Sequence, residues 1–180
     1  MKLSKKIKDS LELKFSILAR KKNNKGQKLI SLGLGEPDFP TPKIIIDKTY
    51  EAIKKGYTKY SDPRGLKILR KKIAEYLNSK FKSNVNYSEI IITSGAKMGM
   101  FLALSSILEP NDEVINFTPN YPSYEPQILI AEPTAKIKNI PLLKINYEFN
   151  KKLFVKKISS KTKAIIINSP NNPTGKILSH

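Results

Sequence analysis

Cysteine is absent from the 180 residues, so neither a disulfide framework nor thiolate chemistry is available. Histidine occurs once, as the terminal His180, which removes the usual general base and leaves Ser-His-Asp and Cys-His arrangements aside. No cluster of His, Asp and Glu has metal-ligand spacing. No apolar run approaches the roughly 20 residues that a membrane span requires. The basic start, Met1-Lys2-Leu3-Ser4-Lys5-Lys6, is followed by no secretory apolar core, and a cytoplasmic location is the expectation. Acidic residues are also scarce: 15 Asp and Glu face 33 Lys and Arg, a net charge of +18. That balance raises a nucleic-acid reading. Only Arg20, Arg64 and Arg70 are arginines, however, and the lysines are spread along the chain without a basic stripe. They read as a solvated surface that favours anionic ligands in a general way.

What is present is an alternation of helical and strand patterns. Residues 1–30 are Lys-rich, with one candidate apolar helix face (Leu11, Phe15, Leu18, Ala19); a short apolar segment Leu29–Leu34 then runs into a Gly- and Pro-rich stretch from Gly33 to Pro42. A helix follows, with Thr41 as N-cap, Pro42 at its first position, Gly56 just past its end, and Ile46, Tyr50 and Ile53 on its inner face. Tyr57 to Gly65 is a loop. A second helix runs from about Leu66 to Phe81 with a stripe of Leu66, Leu69, Ile73 and Leu77. Strands are expected at Glu89–Thr93, Glu113–Phe117, Ala135–Ile140 and Lys163–Asn168. Helices are expected at Gly95–Leu108, from Pro122 towards Ala131 despite Pro126, and at Leu153–Ile158. Continuous Ile-rich strands separated by helices predict an α/β fold, a mostly parallel sheet covered on both faces.

Several polar groups fall just after these strands, where open α/β sheets bind ligands. Thr93-Ser94-Gly95-Ala96-Lys97 joins a strand to a helix. Its small residues allow close backbone approach, and a helix start with Lys97 beside it suits a phosphate. An ordinary tight turn has the same residues, and neither the Walker spacing nor the Gly-x-Gly-x-x-Gly turn is present. Phe117-Thr118-Pro119-Asn120-Tyr121-Pro122-Ser123-Tyr124 puts aromatic rings at the same edge, able to stack on a planar ligand or simply to cap the core. Asn172, in Asn168-Ser169-Pro170-Asn171-Asn172-Pro173-Thr174-Gly175, can hydrogen-bond a ring oxygen or carboxylate, or merely form an Asn-Pro turn. Tyr57-Thr58-Lys59-Tyr60 and Gly33-Leu34-Gly35 can offer phenol and backbone N–H groups, but exposed loop residues read the same way. The coincidence of three such sites after successive strands favours one shared ligand pocket.

In this order the motifs resemble the amino-terminal part of a class I aminotransferase of the fold-type I pyridoxal-phosphate family. Gly33-Leu34-Gly35-Glu36-Pro37-Asp38-Phe39, Tyr57 through Leu66, Ser94-Gly95-Ala96-Lys97, Pro119 through Tyr124 and Asn168 through Gly175 carry the resemblance, the last most specifically. It implies that residues 1–40 are an arm and part of a small domain. Residues 41–180 would be the amino-terminal part of the large cofactor-binding domain. It implies pyridoxal 5'-phosphate as cofactor, amino acids and 2-oxo acids as substrates, and a homodimer. Gly95, Ala96 and Lys97 would hold the cofactor phosphate, Tyr121 would stack on the pyridine ring, and Asn172 would donate to its 3-oxygen. Tyr60 would reach the phosphate of the partner subunit's cofactor, and Gly35 would contact the substrate carboxylate. The family's Schiff-base Lys, the Asp at the pyridine nitrogen and the substrate-gripping Arg are expected beyond His180, so no catalytic residue is assigned within the chain. A non-catalytic remnant and a lyase relative are the alternatives, with a basic nucleic-acid-binding domain behind them.

Overall fold

The computed structural model describes residues 35, 37–143 and 145–178. The helix face at Leu11 to Ala19, the apolar segment Leu29–Leu34 and His180 lie outside the described residues. Among those described, residues from Gly95 onward form one compact unit and those up to Ser94 form another.

The later unit carries the sheet. Its elements are α3 (Gly95–Ile107), β1 (Glu113–Thr118), α4 (Tyr124–Ala131), β2 (Lys136–Pro141), α5 (Lys151–Lys157) and β3 (Thr162–Ile166). The strands are parallel in the order β2-β1-β3. Parallel neighbours need crossover connections, and the helices between the strands supply them. Strand β1 is central and its first five residues are buried, which is why it reads as a nearly unbroken apolar run. Side chains alternate across the sheet. Val114 packs with Leu104, Leu108 and Ile128 of the α3 and α4 side. Ile115 and Phe117 join Ile140, Leu142, Phe149, Leu153 and Phe154 on the α5 side. The expected two-faced parallel sheet is therefore present. Pro126 is the third residue of α4, in the first turn, where its missing N–H breaks no intrahelical bond.

The earlier unit holds α1 (Lys43–Lys54), α2 (Lys67–Phe81) and a 3-10 turn at Tyr87–Glu89. Four expectations need correction here. Helix α1 starts one residue late, with Pro42 as an N-cap that makes no side-chain bond, so Thr41 does not cap it. Its presumed inner residues Ile46, Tyr50 and Ile53 are all exposed, because no described element lies over that face. On α2 the buried residues are Arg70 and Ala74; Leu66 and Leu69 are exposed. Finally, Glu89–Thr93 is not a paired strand. The Asn86 side chain accepts from the Ser88 N–H, while Glu89 accepts from the Asn86 N–H, and this capping box holds Glu89 in a turn. Ile90 is extended, but the Ile92 N–H donates to the Arg64 carbonyl at 2.9 Å instead of to a neighbouring strand.

Candidate functional site

Within the unit that begins at Gly95, the expected site residues cluster at the carboxyl ends of β1 and β3 and at the start of α3. Gly95 opens α3 at φ +81°, a left-handed conformation that side chains disfavour, and a Cβ there would meet nothing within 4 Å. The chain thus enters the helix past an open space at its positive end, a setting that suits an anion. Gly95, Ala96 and Lys97 are all exposed on this first turn. The Lys97 ammonium lies 5.5 Å from the Tyr121 ring centroid. A cation and an aromatic ring from two different elements are thereby brought to one place, which no local pattern guarantees.

Tyr121 is shaped by the loop after β1. The Tyr124 N–H donates to the Tyr121 carbonyl at 3.1 Å, and the two rings meet edge to face with centroids 5.6 Å apart. Burial, and next the neighbouring Tyr121, pushes the Tyr124 hydroxyl above the usual phenol range.

The turn after β3 is braced by its own asparagines. Asn168 Oδ1 accepts from the Asn172 N–H at 2.9 Å. Buried Asn171 accepts from the Thr174 hydroxyl at 2.8 Å through Oδ1, and its carbonyl accepts from the Gly175 N–H at 2.7 Å. Its Nδ2 reaches the Pro119 carbonyl at 3.4 Å, a long bond that links this turn to the loop carrying Tyr121. The side chain of Asn172 is exposed and has no partner among the described residues. The turn is therefore held by Asn168 and Asn171, and not by the side chain of Asn172. Tyr60 and Gly35, also expected at the site, are exposed and belong to the other compact unit.

Two residues escaped the sequence reading. Asn116 and Asn120 each hold a buried Nδ2 with no hydrogen-bond partner. Both line a small pocket at the β1 and β3 ends with Tyr124, Asn168 and Asn171. A buried amide without a partner costs stability. The signal was available: Asn116 interrupts Val114-Ile115-Asn116-Phe117, where an apolar residue is the default. Among the described residues there is no metal-holding cluster, and no helix is long and apolar enough to cross a membrane.

Comparison with known proteins follows the same lines. Residues 27–180 match the family model described as aminotransferase class I and II. The chain is 40% identical over 151 residues to an aspartate aminotransferase of Thermotoga maritima, covering 84% of this chain and 40% of that protein. It is 42% identical over 163 residues to a (5-formylfuran-3-yl)methyl phosphate transaminase of Methanocaldococcus jannaschii, covering 89% and 41%. Its fold matches the aspartate aminotransferase of Thermus thermophilus solved with maleate at a TM-score of 0.90 and 31% identity. That match covers 99% of this chain and 47% of the other. The chain spans about two fifths of the length of the curated relatives it matches.

Proposed function

Since this chain belongs to the class I and II aminotransferases, a family that uses pyridoxal phosphate, we propose that it supplies the cofactor-holding part of an enzyme moving an amino group between an amino acid and a 2-oxo acid. The observation that carries the reading is the meeting of Lys97 and Tyr121 beside the open start of α3. A doubly charged phosphate fits the helix end and the Lys97 ammonium, and a flat ring fits beside the Tyr121 face. The unpartnered amide of Asn172 supports a third contact, to an oxygen on that ring. The orphan donors of Asn116 and Asn120 add to a surface that favours acceptor atoms.

In this reading Gly95, Ala96 and Lys97 would bind the phosphate, Tyr121 would stack on the ring, and Asn172 would donate through its amide to the 3-oxygen. Tyr124 supports the Tyr121 ring through their edge-to-face contact. Gly35 offers its backbone to the substrate carboxylate. Tyr60 donates its hydroxyl to the phosphate held by a second copy, so the proposed assembly is a cytoplasmic homodimer. Pyridoxal phosphate supplies the electron sink for the substrate's α-carbon when bound. The residues assigned here bind and orient; none of them is assigned a proton transfer.

The test is a titration of the chain with pyridoxal phosphate, following the phosphorus resonance. Saturable binding is expected, weakened roughly tenfold by Lys97→Ala through loss of one charge-assisted contact. No saturation with the unaltered chain, or an unchanged Lys97→Ala variant, would sink the proposal.

A further inference from the structure

The end of the loop from Tyr57 to Gly65 is held by one buried guanidinium. Arg70 of α2 is 2% exposed, and Ala74 is the only other buried residue described before Gly95. Its Nε donates to the Gly65 carbonyl at 3.0 Å, Nη1 to the Tyr87 carbonyl at 3.2 Å, and Nη2 to Asp62 Oδ2 at 3.1 Å. Asp62 accepts in addition from the Arg64 backbone N–H at 2.9 Å and from Arg64 Nη2 at 3.1 Å. The Gly65 N–H closes the turn onto the Asp62 carbonyl at 2.7 Å. Two residues of the loop are therefore fixed to α2 and to the turn at Tyr87 by one planar group. Tyr60, two residues before Asp62 in the same loop, is fully exposed.

Stability alone is a weak reason for such an arrangement. Burying a charged guanidinium carries a large desolvation cost, and well-packed apolar residues of similar volume often serve stability equally well. The planar fork offers something apolar residues lack, a fixed direction for each of three acceptors. We propose that Arg70 is a positioning residue, which through Asp62 and Gly65 sets the place from which Tyr60 meets a phosphate held by a second copy of this chain. The inference rests on the cofactor reading above and adds to it the residue that makes Tyr60 effective.

The test is a double-mutant cycle on the full chain, with the dissociation constant of pyridoxal phosphate as readout. Tyr60→Phe is expected to weaken binding about tenfold, and Arg70→Lys, which keeps the charge but loses the fork, about fivefold. In the double variant the Arg70→Lys effect should vanish, since it acts only through the Tyr60 hydroxyl. Multiplying effects, about fiftyfold in the double variant, would reduce Arg70 to a structural staple and overturn the inference. So would an unchanged constant for Arg70→Lys. If Arg70→Lys melts without cooperativity, Asp62→Asn takes its place, with the same expected sign and the same dependence on Tyr60. Absence of binding by the unaltered chain overturns the cofactor reading itself, and this inference with it. Binding with multiplying effects overturns only the inference.

Discussion

The two compact units are held by different chemistry. From Gly95 onward, nine apolar residues are buried around β1, four of them fully. Before Gly95, the described buried residues are one alanine and one arginine. The first unit is ordered by removal of apolar surface, which is strong and undirected. The second is ordered by hydrogen bonds to a guanidinium, which are individually modest but directional. The sheet thus provides stability beneath the helix start at Gly95. The Arg70 frame provides a defined loop shape. Truncation of the sheet core is the harshest way to probe this difference. Ile115 is fully buried between β2 and β3, facing Phe117 and Ile140. Ile115→Ala should lower the unfolding free energy by about 3 kcal/mol, as lost transfer energy plus a cavity. Urea unfolding measures it, and a loss below about 1 kcal/mol would mean that β1 is not the centre of that unit's stability.

The directional unit should instead be sensitive to backbone shape. Gly65 has φ +94°, and a Cβ there would lie 2.4 Å from Ile92 Cγ1. Ile92 is itself tied to Arg64 through its N–H, so it cannot withdraw without disturbing the loop. Gly65→Ala is expected to cost about 2 kcal/mol, combining left-handed strain with the clash. Gly56, at φ +81° with nothing within 4 Å, is the internal control. Gly56→Ala carries the strain alone and should cost about 1 kcal/mol. Equal shifts in thermal melting would remove the Ile92 contact from the explanation.

The same contrast explains what was legible in the sequence. Strand β1 was readable because burial leaves a nearly unbroken apolar run, β2 and β3 because Ile recurs in short segments between helical patterns, and α3 because its apolar stretch follows a Gly turn. That Lys97 and Tyr121 share one edge was expected from an α/β order, but their contact at 5.5 Å was not, and the strand expected before Lys97 is unpaired. Glu89–Thr93 carries the same apolar run without pairing, because its capping box and the Ile92 bond to Arg64 claim it first. The Arg70 frame was not readable. Its partners, Asp62, Gly65 and Tyr87, are spread over 8 residues before it and 17 after it. Asn171 and Pro119 are 52 positions apart. Side-chain hydrogen bonds across such separations leave no period, whereas burial does.

Acid should produce the smallest effect, and it separates the units by which carboxylate responds. Hydrogen bonds from the Arg64 side chain and then from its backbone lower Asp62 from 3.8 to about 2. In the sheet unit, Lys138 and then Ser159 hold Glu113 below its ordinary value. Both carboxyls thus bind protons less readily when folded than when unfolded. Each therefore stabilises the fold above its ordinary value and loses that contribution as pH falls, for Asp62 through about 2. Asp62 is one-third exposed, so solvent screens its pairs, whereas Glu113 is buried at the start of β1. Urea midpoints followed below the ordinary carboxylate range should fall in the unaltered chain. They should fall less in Asp62→Asn and in Glu113→Gln. Added salt should diminish the Asp62 part more than the Glu113 part, because exposed pairs are the ones that mobile ions reach. A midpoint that is flat or rises on acidification contradicts the sign for both groups. Salt sensitivity confined to Glu113 reverses the assignment of the exposed pair to the arginine frame and the sheltered pair to the sheet.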